Sequence, residues 1–202
     1  RAALRHKELA EVVCWRERWL PGFSDFLSVA IVNGAPDQMA LVGSARRLAA
    51  LSGSALPAGL RAQRIGVPSP FRRMDLSQFD VIALGRRFVA RFPDRSQAIL
   101  LVGLRTSGSY FAPLLYSFLR MEGFSTVSML TLQPDKGAGP LERRELERCA
   151  KQGYLALVVD DPPLTGGTLI LAFDIARNAG FAPTRLKALV PVHSEKRDWH
   201  KP

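Results

Sequence analysis

Cysteine and histidine are scarce in this 202-residue chain. Cys14 and Cys149 are far apart and too few for a disulfide framework, and they point to a reducing, cytoplasmic setting. His6, His193 and His200 stand in no metal-ligand spacing with either cysteine, which sets a zinc module aside. No apolar run approaches the roughly 20 residues of a membrane-spanning helix. Residues 1–20 carry too many charges for a secretory core segment, so no membrane partner is expected. Internal repeats are missing, and so is a Gly-x-x-x-x-Gly-Lys-Ser/Thr loop, which leaves a P-loop nucleotidase unsupported. Acidic charge is in short supply: 28 Lys and Arg face 18 Asp and Glu, a formal net charge of +10. The chain begins at Arg1 and stops soon after an expected strand, and so reads as an excerpt of a longer protein.

At 47% hydrophobic residues, the chain has material for one core, or a core plus an appendage. Residues 61–95 hold eight Arg (61, 64, 72, 73, 86, 87, 91 and 95) against Asp75, Asp80 and Asp94, a local excess of 8 − 3 = 5. Such a segment suits a nucleic-acid surface or a basic mouth that steers a polyanion, and an Arg-rich composition alone would also produce it. Residues 1–95 read as a mainly helical N-terminal region, a hood, cover or part of a neighbouring domain. Arg1 to about Leu20 is an amphipathic helix by spacing, ended by Pro21-Gly22. Ser24 is a cap for a second helix and Asp37 for a third that runs to about Leu51. Residues 52–70 read as a connector or irregular cover, and Asp75 to Arg91 forms one more helix with Leu76, Phe79, Val81, Ile82, Leu84, Phe88 and Val89 as its apolar positions.

From residue 96 the pattern changes to alternating strands and helices. Strands are expected at Ala98–Leu104, Thr126–Leu132, Leu155–Val159 and near Leu186–Val192. Helices are expected at Tyr110–Met121 and from Thr168 to about Ala179. This succession predicts an α/β domain over 96–202 with a parallel, twisted sheet, right-handed crossovers and helices on both faces. Ligands of such sheets bind beyond the carboxyl ends of the strands, where three motifs fall. The loop Gly103-Leu104-Arg105-Thr106-Ser107-Gly108-Ser109 combines small residues, hydroxyls and an Arg ahead of a helix, which suits an anion; it equally suits a plain turn with Arg105 in a salt bridge. The loop Gln133–Pro140 sets Lys136 beside Gly137 and Gly139, as a mobile lid or as a solvated connection. In the third, the buried strand Leu155–Val159 ends in Asp160-Asp161, followed by Thr165-Gly166-Gly167-Thr168 at a helix start. Carboxylate acceptors for hydroxyls or a metal then lie beside amide donors for a phosphate. A strand end followed by a helix capped by Thr165 is the structural alternative.

Val158-Val159-Asp160-Asp161, three residues, then Thr165-Gly166-Gly167-Thr168, resembles the phosphoribosyl pyrophosphate (PRPP) motif of the type I phosphoribosyltransferases. The resemblance covers roughly residues 96–193. Pro162 and Pro163 depart from the usual branched aliphatics, and Leu164 stands where purine-specific members often carry a third acid. The resemblance implies a Rossmann-like fold and a Mg²⁺-dependent transfer of ribose 5-phosphate from PRPP to a nucleobase-like nitrogen acceptor, with release of pyrophosphate. Catalytic roles fall on Asp160, Asp161, Lys136 and Arg105. Asp160 and Asp161 would hold the ribose hydroxyls and lie near a Mg²⁺ bound mostly through PRPP. Leu164, Thr165, Gly166, Gly167 and Thr168 would take the 5-phosphate, and Arg105, Thr106, Ser107 and Gly108 the pyrophosphate. Lys136 or Arg143 would close over it on a flexible loop. The resemblance also implies a non-proline cis peptide at Leu104–Arg105 or Arg105–Thr106, a fifth core strand beyond Val192, and a homodimer as one open assembly. No general base for the acceptor stands at 164. The alternative on the same fold is a non-catalytic PRPP-sensing regulator or a nucleic-acid-binding protein, which the basic 61–95 segment favours.

Overall fold

A computed structural model describes residues 2–31, 37–53, 56–57, 60, 76–163 and 165–191, with the backbone alone for 2–9. Two compact units divide between Val67 and Pro68. In the first, helix α1 (Ala2–Ala30) packs on helix α2 (Gln38–Gly53). The expected break at Pro21-Gly22 does not occur, because Pro21 lies inside α1. Ser24 is accordingly an interior, buried residue rather than a cap, and its carbonyl accepts a bond from the Ser28 hydroxyl at 2.9 Å. A proline in a helix interior forfeits one ladder bond and costs about 3 kcal/mol. Side chains that bridge the position offset that loss. Trp15, Trp19 and Phe23, spaced by four, stack at centroid distances of 5.5 and 4.5 Å. The Trp19 indole also donates to Ser52 Oγ on α2 at 3.0 Å. Pro21→Ala is therefore expected to stabilise this unit by about 1–3 kcal/mol, read as a higher urea midpoint. A lower midpoint would mean that the proline shapes the helix pairing. Helix α2 starts where expected, with Asp37 Oδ1 accepting the Met39 amide at 2.9 Å.

The second unit opens with helix α3 (Gln78–Arg91), whose start is fixed by Ser77: its amide and hydroxyl both donate to Asp80 Oδ2, at 2.8 and 2.7 Å. Val81, Ile82, Leu84 and Phe88 bury its inner face, while Phe79, expected on that face, is exposed. Helix α3 packs on helix α4 (Gly108–Met121), so the unit boundary falls ahead of α3 rather than near residue 95. Residues 61–75, with Arg61, Arg64, Arg72 and Arg73 of the basic segment, lie outside the described residues. Most of the connector expected over 52–70 does so too.

Strands β1 (Ile99–Leu104), β2 (Val127–Leu132), β3 (Leu155–Val159) and β4 (Leu186–Leu189) form one parallel sheet in the order β2-β1-β3-β4. Helices α5 (Pro140–Lys151) and α6 (Gly167–Asn178) complete the Rossmann-like α/β unit expected from the strand–helix alternation. Val192, the expected end of β4, lies outside the described residues. Every residue of β1 and β3 is buried, as parallel strands covered on both faces must be. Alternation divides them. Leu100, Val102, Leu104, Ala156 and Val158 join the core beneath Leu146, Ala172 and Ala176 of α5 and α6. The side of Gly103 faces Ala112 of α4 on the opposite surface. No helix among the described residues is long and apolar enough to cross a membrane.

Candidate functional site

The chain leaves β1 toward β2 on one side and returns to place β3 on the other side of β1. Connections therefore diverge between the carboxyl ends of β1 and β3, and the crevice left there is where ligands of open α/β sheets bind. The β1–α4 loop and the Asp160-Asp161 pair both fall at this point.

Two glycines draw the loop tight. A Cβ on Gly103 would overlap the Gly108 carbonyl oxygen, and one on Gly108 would lie 2.5 Å from the Val159 carbonyl oxygen. Backbone thus packs on backbone where β1, α4 and β3 converge, which brings Ser107 to the end of β3. The Ser107 hydroxyl donates to Asp161 Oδ2 at 2.8 Å, tying the two motifs together. The Arg105 amide extends the ladder to the Leu132 carbonyl, and the Arg105–Thr106 peptide is cis, one of the two bonds at which such a peptide was expected. Among the described residues no acceptor meets the amides of Thr106, Ser107 and Gly108. They form a group of donors of the kind that receives an anion.

Asp160 and Asp161 are half-buried where β3 ends. The Asp160 carboxyl is pushed up to about 7, first by burial and next by the Asp161 charge beside it. An unfolded Asp titrates near about 3.9, so across that interval the folded protein holds the extra proton. Stability from this group is complete in acid and is lost as pH rises from about 4 through 7. The ligand-free protein is expected to be more stable at pH 5 than at pH 8. The loss attributable to Asp160 is about 2 kcal/mol, short of the full shift because water still reaches the carboxyl. Melting temperatures across that range in wild type and Asp160→Asn check it: the variant should lack this part of the slope, and equal slopes would contradict it.

Beyond the acids, Gly166 adopts φ +78°, with open space where a Cβ would stand, and α6 begins at Gly167. The first ladder bond of α6 runs from the Ile170 amide to the Gly166 carbonyl, while the Gly167 amide meets Thr165 Oγ1 at 3.4 Å. The amides of Thr168 and Leu169 precede the ladder and carry the positive end of the helix. Leu164, expected in the 5-phosphate loop, lies outside the described residues.

The cations are placed otherwise than the sequence suggested. Arg105 leans over β2, donating to Thr131 Oγ1 at 3.1 Å and to the Thr131 carbonyl at 3.3 Å, and pairs with Glu142 Oε1 at 3.1 Å. The salt bridge held open as a structural alternative is thus present, and Glu142, in the first turn of α5, is the member of the site that sequence reading passed over. An acid placed just after Pro140, at a helix start, was the available signal. The expected mobile loop at 133–140 is folded: Pro134–Lys136 make a 3₁₀ turn, Gln133 and Gly137 bridge, and Pro134 is buried. A seven-residue connection whose ends are tied across a turn has little slack for a lid. Lys136 is exposed on this turn, and Arg143 lines a groove with Gly137, Leu146 and Ile175.

The chain matches no family model and no curated protein sequence. Among the described residues no three His, Cys, Asp or Glu side chains gather as a metal cage. Two adjacent carboxylates do suit a hard divalent cation such as Mg²⁺ that draws its remaining oxygen ligands from substrate phosphates and water.

Proposed function

We propose that the protein is a phosphoribosyltransferase that moves ribose 5-phosphate from PRPP to a nitrogen acceptor of the nucleobase class, releasing pyrophosphate. The observation that carries this reading is the bond from Ser107 to Asp161. It joins, at the divergence of a parallel sheet, a donor-rich loop to a pair of carboxylates, and the chain runs on from these to the start of α6. PRPP offers matching groups: a diphosphate for the amides of residues 106–108, vicinal hydroxyls for Asp160 and Asp161, and a terminal phosphate for residues 165–168.

In this reading the carboxylates accept the ribose hydroxyls and fix the ring, while the helix start holds the 5-phosphate. The acceptor nitrogen forms its bond to the anomeric carbon as the carbon–oxygen bond to pyrophosphate breaks. The electron pair leaves with the pyrophosphate, and the amides of 106–108 take up its charge where it develops. The proton of the acceptor passes to solvent. Mg²⁺, held by Asp160, Asp161 and substrate oxygens, would supply charge neutralisation for the leaving group. For Arg105 to reach the pyrophosphate, its pairing with Glu142 must open, and Lys136 would act from the fixed turn at the end of β2.

Gly166→Val is expected to raise the Kd for PRPP by more than about 50-fold while lowering stability by only about 1–2 kcal/mol, since a branched side chain is strained at a left-handed φ and fills the phosphate's space. Calorimetric titration beside a urea melt checks this; equal losses in both would mark the segment as a structural turn. Pyrophosphate release from PRPP with a panel of bases tests the reaction: release that requires a base and Mg²⁺ is expected.

The engaged Arg105 and the folded 133–137 turn favour one second reading, a PRPP-sensing protein that binds without turnover. PRPP binding with no pyrophosphate release under any base would select it.

A further inference from the structure

At the opposite edge of the sheet, where the strands begin, lies a cleft of about 310 Å³ unconnected with the motifs above. Its apolar part is aromatic. Phe88 and Phe92 at the end of α3 stack at 4.9 Å, and Phe124, ahead of β2, stands 6.2 Å from Phe88. Its polar part is cationic: Arg91, Arg185 and Lys187 all line it.

Two of these cations are held in position by neutral groups. Arg185 donates to the Gln97 side chain at 3.1 Å and to the Gly153 carbonyl at 2.5 Å, and Lys187 donates to the Thr184 carbonyl at 3.0 Å. Neutral acceptors orient both and cancel neither charge. Arg91, exposed at the last turn of α3, has no hydrogen bond or ion pair among the described residues. Nearby Arg95 differs, since it pairs with Glu122 and covers the Phe124 ring. Among the described residues the one acid in the lining is Asp94, whose Oδ1 accepts the amide and hydroxyl of Ser96. Three cations against one acid leave the described lining 3 − 1 = 2 positive.

We propose that this cleft binds a mononucleotide-class ligand, an aromatic ring system carrying a single phosphate. Phe92, partly exposed and backed by the buried Phe88 and Phe124, offers its outer face to a planar ring. The rim's excess charge matches a phosphate monoester, which carries about −1.5 to −2 at neutral pH, better than a carboxylate. Two guanidinium forks suit phosphate oxygens. The volume is at the lower end for small-molecule clefts, enough for one ring system and one phosphate. The proposal does not rest on the transferase reading.

The test is calorimetric titration with adenosine 5′-monophosphate, adenosine and inorganic phosphate. The monophosphate is expected to bind saturably and at least about tenfold more tightly than either fragment, because ring and phosphate contacts add. Arg91→Ala with Lys187→Ala should weaken it at least tenfold, and Phe92→Leu should weaken it while leaving inorganic phosphate unaffected. Arg91→Ala alone, on an exposed side chain, carries the test if the double variant does not fold. Asp160→Asn with Asp161→Asn should still bind the monophosphate saturably, because that variant removes only the crevice at the ends of β1 and β3. No saturable binding, equal binding of inorganic phosphate, or binding lost in the Asp160/Asp161 variant but kept in the Arg91/Lys187 variant would each overturn the proposal. The last would place the nucleotide at the β1–β3 crevice instead.

Discussion

Asp160→Asn combined with Asp161→Asn is expected to abolish the rise in melting temperature that PRPP and Mg²⁺ give the wild-type protein. A ligand bound only by the native state stabilises it by about 2.7 kcal/mol at a concentration of 100 Kd. Each hydrogen bond from a sugar hydroxyl to an ionised acid contributes about 1.5–3 kcal/mol, so removing both charges should weaken binding by at least about a hundredfold. The unliganded fold should survive, because an amide oxygen still accepts from Ser107 and the unfavourable ionisation of Asp160 disappears. A double variant that binds PRPP as tightly as wild type would remove the basis of the proposed function.

The second large effect is structural. Gly108→Ala should lower unfolding free energy by about 3 kcal/mol, the upper end of the usual range for overpacking. The new methyl would meet backbone atoms of Val159 and Gly103, neither of which can rotate aside as a side chain would. Relief requires α4 to move off β1, and that separates Ser107 from Asp161. Both urea stability and PRPP affinity should therefore fall. A variant of unchanged stability would show that the contact yields more easily than its geometry implies.

The elements whose signal is local and apolar are legible in the sequence. Leu155–Val159 was assigned residue for residue, because a fully buried parallel strand is an unbroken apolar run, and β1 and β2 were each one residue too long at the start. The carboxylate pair and the glycine-containing helix start were legible for the same reason, as punctuation at the end of such a run. Contacts across the sequence were not legible. Pro21 reads as a breaker from propensity, but the stacked Trp15, Trp19 and Phe23 hold the helix through it. Arg105 reads as either an anion ligand or a salt-bridge donor, and only the fold brings its partner Glu142, 37 residues on, beside it. Gly103 and Gly108 look like ordinary loop glycines; only the approach of β3 shows that both must lack a side chain. Glycines around Lys136 suggested a lid, and the bridge between Gln133 and Gly137 fixes it as a turn.

A crystal structure with PRPP and Mg²⁺ tests the central claim most directly. The ribose hydroxyls are expected within about 3 Å of the carboxylates of Asp160 and Asp161. The diphosphate should lie on the amides of Thr106 to Gly108, and the 5-phosphate on the start of α6. PRPP bound elsewhere on the molecule, or a β1–β3 crevice that stays empty at saturating ligand, would contradict it.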